Sequence, residues 1–204
     1  MSTTQPMNFE SADNGEETAR ADLYGVLAEL FYGPMPQAYV DTIGASHAEG
    51  EGVLECAWND LAAACRQTNE DAIRDEYEQL FIGVGKPEIM LYGSYYQSGF
   101  LMEKPLAALR TDLAALGLQR TETVAESEDH IATLCEVMRY LITADDIEIA
   151  NLASQKKFFA AHIQPWAGEL CAAIENHPHA TFFKHAGRLA RCFFEVEMQA
   201  FDMT

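Results

Sequence analysis

Apolar residues recur three and four apart along most of this chain, a spacing that puts them on single faces of helices. Leu23, Val26, Leu27, Leu30 and Phe31 share one such face, and Leu54, Ala57, Trp58, Leu61 and Cys65 share another. Leu106, Leu109, Leu113 and Leu116 mark a third stripe. Ile131, Leu134, Cys135, Met138, Leu141 and Ile142 mark a fourth, and Phe182, Ala186, Leu189, Ala190 and Phe193 the last. No segment sustains a period of two, and no repeat of fixed length is present. The chain therefore reads as all-α, a helical bundle of about nine to ten helices.

Punctuation places the boundaries. Gly33-Pro34 stops a first helix that starts near Glu16, and Pro36 opens a short one through Ile43. Gly44 to Gly52 is a loop. Thr68 or Asn69 caps the helix carrying Ile73 to Phe81, with Glu70 and Asp71 suited to its first turn. Ser127 is placed to cap the helix of Ile131, a further helix runs from about Ile147 to Ile163, and Pro165 fits the first turn of the next. Residues 1–17 read as a loose polar tail. Residues 18–121 and 131–204 read as two packed helical lobes joined by an acidic hinge at 122–130; one compact domain is the alternative at this length.

One loop is unusual. The stripe Ile73, Tyr77, Leu80, Phe81 runs into Gly83, Gly85 and Pro87, which end the helix, and the following segment carries Ile89, Met90, Leu91, Tyr92, Tyr95 and Tyr96. Loops run over the surface because their backbone groups need water. A loop this apolar must fold back onto the helices or line a groove that a partner fills.

Composition excludes several classes of function. A formal net charge of −19 repels nucleic-acid phosphates; it suits a cationic partner, or serves solubility alone. No run approaches the ~18 apolar residues of a membrane span, so no stable membrane insertion is expected. Met1–Glu17 lacks the basic start and apolar centre of an export signal, which makes the cytoplasm the expected location. The five cysteines form no Cys-x-x-Cys pair and fall mostly on apolar stripes, as small hydrophobes.

Catalytic patterns are missing. Gly83-Val84-Gly85 follows a helix instead of a strand, and neither a phosphate loop nor a Gly-x-Ser-x-Gly elbow occurs. His177, His179 and His185 lie close together around Pro178, but no Glu or Cys beside them completes a ligand set, so a structural or surface role is expected and no metal. Asp129-His130, at a helix start, is the most suggestive pair. Asp129 complements the helix dipole there, and His130 either bonds a neighbour or takes part in function.

The ordered set of landmarks resembles the TorD/DmsD family of maturation chaperones for molybdenum-cofactor oxidoreductases. The carrying residues are Tyr77-x-x-Leu80-Phe81-x-Gly83-x-Gly85, Tyr92-Gly93-Ser94-Tyr95-Tyr96 and Glu126-x-x-Asp129-His130-Ile131, followed by Ala161-His162-x-x-Pro165-Trp166 and the Phe182-Phe183…Leu189-Ala190 helix. Gly93-Ser94 looks more like the DmsD branch. Ser127 stands where the family usually has proline, and Met90-Leu91 replaces a usual Pro-Pro, which leaves the loop less stiff.

The resemblance implies a cytoplasmic protein without catalysis that binds the twin-arginine signal peptide of an apo molybdoenzyme and holds it until cofactor insertion and export. It also implies no cofactor beyond weak guanine-nucleotide binding; the connector between two lobes leaves both a monomer and a domain-exchanged dimer open. A relative serving a nitrate-reductase-type catalytic subunit is an alternative, as is a nucleotide-dependent switch or enzyme using Asp129 and His130. A twin-arginine signal is a cationic head followed by an apolar segment, so its receptor needs an apolar trough with acids at one end. The expected peptide-binding residues are Tyr77, Leu80, Phe81, Tyr92, Gly93, Ser94, Tyr95, Tyr96, Glu126, Asp129 and His130. The acids expected around them are Glu122, Glu126, Glu128 and Asp129 in the hinge, and Glu70, Asp71, Asp75, Glu76 and Glu78 before the loop.

Overall fold

The apolar stripes close on one another as helices in a computed structural model that describes residues 12–121, 126–146 and 148–203. Ten α-helices and one π-helical turn are present among them: α1 Ala12–Tyr32, α2 Gln37–Ala45, α3 Val53–Cys65, α4 Glu70–Tyr77, the π turn Glu78–Ile82, α5 Gly93–Ser98, α6 Lys104–Ala115, α7 Ile131–Thr143, α8 Leu152–His162, α9 Gln164–Glu175 and α10 Phe183–Asp202. The first helix begins at Ala12, so residues 12–17 of the expected tail are helical.

The longest packing seam joins α1 to α7, and α10 lies against both α9 and α3. Helices from 18–121 and 131–204 thus alternate in space, and their buried side chains form one continuous cluster. A polar network pins one of these crossings. The Arg20 guanidinium donates to Glu197 at 2.7 and 2.8 Å, and the Tyr24 hydroxyl donates to the same carboxylate at 2.9 Å. Glu197 is only 1% exposed, so each of these bonds offsets the cost of burying its charge. Burial and the neighbouring Glu197 carboxylate push the Tyr24 hydroxyl well above its ordinary pKa.

Helix starts follow local chemistry. Asn69 caps α4 by accepting from Ala72 N, and Pro165 sits in the first turn of α9. The eighth helix starts at Leu152, later than its sequence suggests, because the Asn151 side chain caps it by accepting from Ser154 N; Ile147 lies outside the described residues. The N-terminus of α10 is capped from a distance. Glu76 on α4 accepts from the backbone N–H groups of Thr181, Phe182 and Phe183 at 2.8–3.0 Å, placing a negative charge where the helix dipole favours one.

Candidate functional site

Helix α4 continues into the π turn, which ends at Gly83 with φ 66°. A side chain there would place its Cβ 2.5 Å from the Lys86 carbonyl oxygen, so the turn admits only glycine. The chain then doubles back, and Ile89 N donates to Leu80 O at 2.9 Å. Tyr77, Leu80 and Phe81 face inward from this corner. The Tyr77 hydroxyl donates to the carbonyls of Phe31 and Tyr32, both at 3.1 Å, and the Phe81 ring packs edge-on against Phe183 at 5.0 Å. All three side chains are buried and belong to the core, because they continue the same inward stripe as Ile73. They do not line the trough that the sequence suggested.

The tyrosine loop is stitched to the start of α7. Tyr92 and His130 form an isolated antiparallel bridge, with Gly93 N donating to Asp129 O and Ile131 N donating to Leu91 O, each at 2.9 Å. Asp129 adds its side chain: Oδ2 accepts from Ser94 N at 2.8 Å and Oδ1 accepts from Ser127 Oγ at 2.6 Å. His130 caps α7, its Nδ1 accepting from Ala132 N at 3.2 Å, so the cap is His130 and not Ser127. Burial lowers the His130 pKa to about 4 against the opposing pull of Glu126 and Asp129, which leaves the imidazole neutral at pH 7. Asp129 and His130 are both buried, and their side chains hydrogen-bond the backbone at the starts of α5 and α7.

Residues after the bridge form the six-residue helix α5, which the sequence reading took as loop. Gly93 lies under the Trp166 indole, where a Cβ would come within 2.9 Å of Nε1; Ser94 is fully buried. Tyr96 stacks on Trp166 at 5.4 Å and 21°, and Tyr95 meets the Tyr96 ring edge-on. Tyr92, Tyr95 and Tyr96 remain half-buried. The Tyr92 hydroxyl donates to Glu126, and burial together with that carboxylate raises its pKa.

Two clefts meet at Glu126. The smaller, about 270 Å³, lies beside the loop and is walled by Met90, Tyr92, Leu101, Met102, Ser127 and Asp129, so a cleft does reach Asp129. The larger, about 510 Å³, runs between α1 and α7 over Ala28, Tyr32, Leu113, Leu118, Val137 and Tyr140. Glu29, Glu126, Glu128 and Glu136 stand around it. Sequence reasoning missed this groove. Tyr32, which lines it, directly follows the buried Phe31 yet is 53% exposed, a difference the sequence does not show.

The acids are less free than their sequence windows imply. Glu128 accepts from the Arg110 guanidinium at 3.1 and 2.8 Å, and this pairing holds its carboxyl below the usual range despite the opposing effect of burial. Glu70 pairs with Arg74 and accepts from Gln37 N at 2.9 Å, and Glu76 caps α10. Glu122 lies outside the described residues. Burial pushes the Cys65 thiol up to about 11, with Arg66 opposing, so it stays protonated at neutral pH. Among the described residues, no helix is long and apolar enough to cross a membrane.

Known proteins resemble this arrangement over nearly the whole chain. TorD chaperones from two Vibrio cholerae O1 strains are each 24% identical over 202 residues, covering 90% of this chain and 92% of theirs. An Archaeoglobus fulgidus crystal structure described as a redox enzyme maturation protein superposes with a TM-score of 0.54, covering 94% of this chain and 99% of that one at 18% identity, which shows a shared fold. The family model for the nitrate reductase delta subunit matches residues 51–172, which include the π turn, the tyrosine loop and the Asp129-His130 start of α7. The chain belongs to this nitrate reductase delta subunit family of TorD type, whose members are chaperones and not enzymes.

Proposed function

We propose that this chain is a cytoplasmic maturation chaperone that holds the twin-arginine signal peptide of an apo molybdenum-cofactor oxidoreductase. The observation that carries the reading is the α1–α7 groove, whose floor is apolar at Ala28, Tyr32, Leu113 and Val137 and whose rim carries Glu29, Glu126 and Glu136. Arginine forks of the peptide head pair with rim carboxylates, and the apolar segment that follows lies on the floor. Buried apolar contacts supply the affinity. The rim, aided by a net charge of −19, raises the association rate and sets orientation.

The neighbouring cleft extends the same surface, because Glu126 borders both and is held by the Tyr92 hydroxyl. Tyr92 and Glu126 therefore touch the proposed seat directly. Ser94 and Asp129 line its smaller cleft beside Tyr92, His130 and Gly93 shape it from beneath, and Tyr95 and Tyr96 brace α5 against Trp166.

Calorimetry with a synthetic twin-arginine signal peptide at low and moderate salt tests the reading. Binding is expected at low salt and weakens as salt rises. No detectable binding to any signal peptide encoded beside this protein removes it. The family model's description favours a second choice of client, the catalytic subunit of a nitrate reductase. Titrating its N-terminal peptide in parallel decides between the clients.

A further inference from the structure

Beside a third cleft, lined by Gln79 and Glu88, three donor atoms converge where the loop after the π turn meets the turn between α9 and α10. His177 Nε2 lies 3.0 Å from Glu88 Oε2, and His179 Nδ1 lies 3.4 Å from the same oxygen. The three atoms all fall within 4.8 Å of one another. The neighbouring Glu175 pairs with Arg191, and the fold instead brings Glu88 to these histidines from the first half of the chain.

The turn holds its two imidazoles in place. Pro178 between them restricts the backbone, His177 N donates to Ile174 O at 3.2 Å, and Ala180 N donates to His177 O at 3.1 Å. The side chain of Gln79, at the π turn, bonds His179 Nδ1 at 2.6 Å and must yield that nitrogen when an ion enters. Glu88 and His179 are open to water, so an ion has an entry path.

Two of the three donor separations, 3.0 and 3.4 Å, are close to those of a coordination shell, and the third is within 4.8 Å. Tetrahedral zinc with ligands at about 2.0–2.2 Å sets its donors roughly 3.3–3.5 Å apart, close to the two separations seen. A simple carboxylate–imidazole ion pair does not need a second nitrogen on the same oxygen. Two nitrogens and one oxygen suit borderline transition ions, whereas magnesium and calcium take oxygen shells.

The geometry points to Glu88, His177 and His179 as a binding site for a divalent transition ion such as zinc or cobalt, with a fourth position open to water. Metal entry has a proton requirement. His177 Nδ1 accepts from His179 N at a long 3.3 Å, which leaves the proton of the neutral ring on Nε2. Binding moves that proton to Nδ1, breaks the long contact, and frees Nε2 for the ion. The bound ion ties the loop to the α9–α10 turn. None of this depends on the peptide reading.

Zinc chloride titrated into the full chain, freed of any tag and stripped with chelator, tests the site by calorimetry. One equivalent is expected to bind. Glu88→Gln, His177→Asn and His179→Asn each weaken binding by at least about tenfold, and His47→Asn leaves it unchanged. Histidine ring resonances of the unmutated protein give a second readout, with zinc shifting those of His177 and His179. Absence of zinc binding overturns the proposal. So does zinc binding that survives all three substitutions or disappears with Cys56→Ser.

Discussion

Asp129 Oδ2 accepts a hydrogen bond from the backbone N–H of Ser94 at 2.8 Å, joining the start of α7 to a helix 35 residues earlier. The other oxygen is taken by Ser127 in the same turn, so this carboxylate both fixes its own turn and ties it to the start of α5.

Asp129→Ala is accordingly expected to lower stability by about 1–3 kcal/mol, the cost of leaving a buried donor without its acceptor. Asp129→Asn keeps an acceptor oxygen for Ser94 N and loses less. Urea denaturation of the two variants measures the difference; an unchanged midpoint for the alanine variant contradicts the stitching role.

His130 predicts an acid-sensitive term. Its folded pKa of about 4 lies below the ~6.5 of an unfolded histidine, so the unfolded chain takes up the proton first as pH falls. Stability from this group is complete above about pH 6.5, declines down to about pH 4, and is flat below, for a total of at most about 3 kcal/mol. His130→Asn keeps an acceptor for the cap and is expected to flatten that part of the profile. Denaturation midpoints between pH 4 and 7 provide the check.

Glu197 is the most sensitive charge in the core. Glu197→Ala strands Arg20, itself largely buried, and leaves the Tyr24 hydroxyl unpaired. A loss of about 3–5 kcal/mol is expected, read by thermal or chemical unfolding. Replacing Arg20 as well should recover part of it, because the orphaned charge then disappears.

Glu29 stands on the rim of the α1–α7 groove and is exposed. Glu29→Gln should leave stability within about 0.5 kcal/mol while slowing peptide association and flattening its salt dependence. Stopped-flow or surface-binding kinetics at two ionic strengths measure both effects.

Helices were legible wherever burial repeats along a turn, and the ends of α4 and α9 followed from Asn69 and Pro165. Helix α5 escaped because six residues are too few to show a period, and because three tyrosines look alike whether they stack or line a groove. Tyr77, Leu80 and Phe81 carried the same ambiguity until the ring cluster around Phe183 placed them inside. The acids of the hinge read as free because Arg110 lies outside their window. The α1–α7 groove and the Glu88–His177–His179 cluster come from pairings distant in sequence, which local pattern does not encode.

A π turn accommodates one residue more than an α turn would hold. Here Gly83 N donates to Glu78 O at 2.8 Å, five residues back, so the surplus is absorbed within a single turn. Tyr77, Leu80 and Phe81 all stay inside the core, and the chain leaves it at Gly83. One extra amino acid thus ends the helix without taking its aromatic face out of the interior.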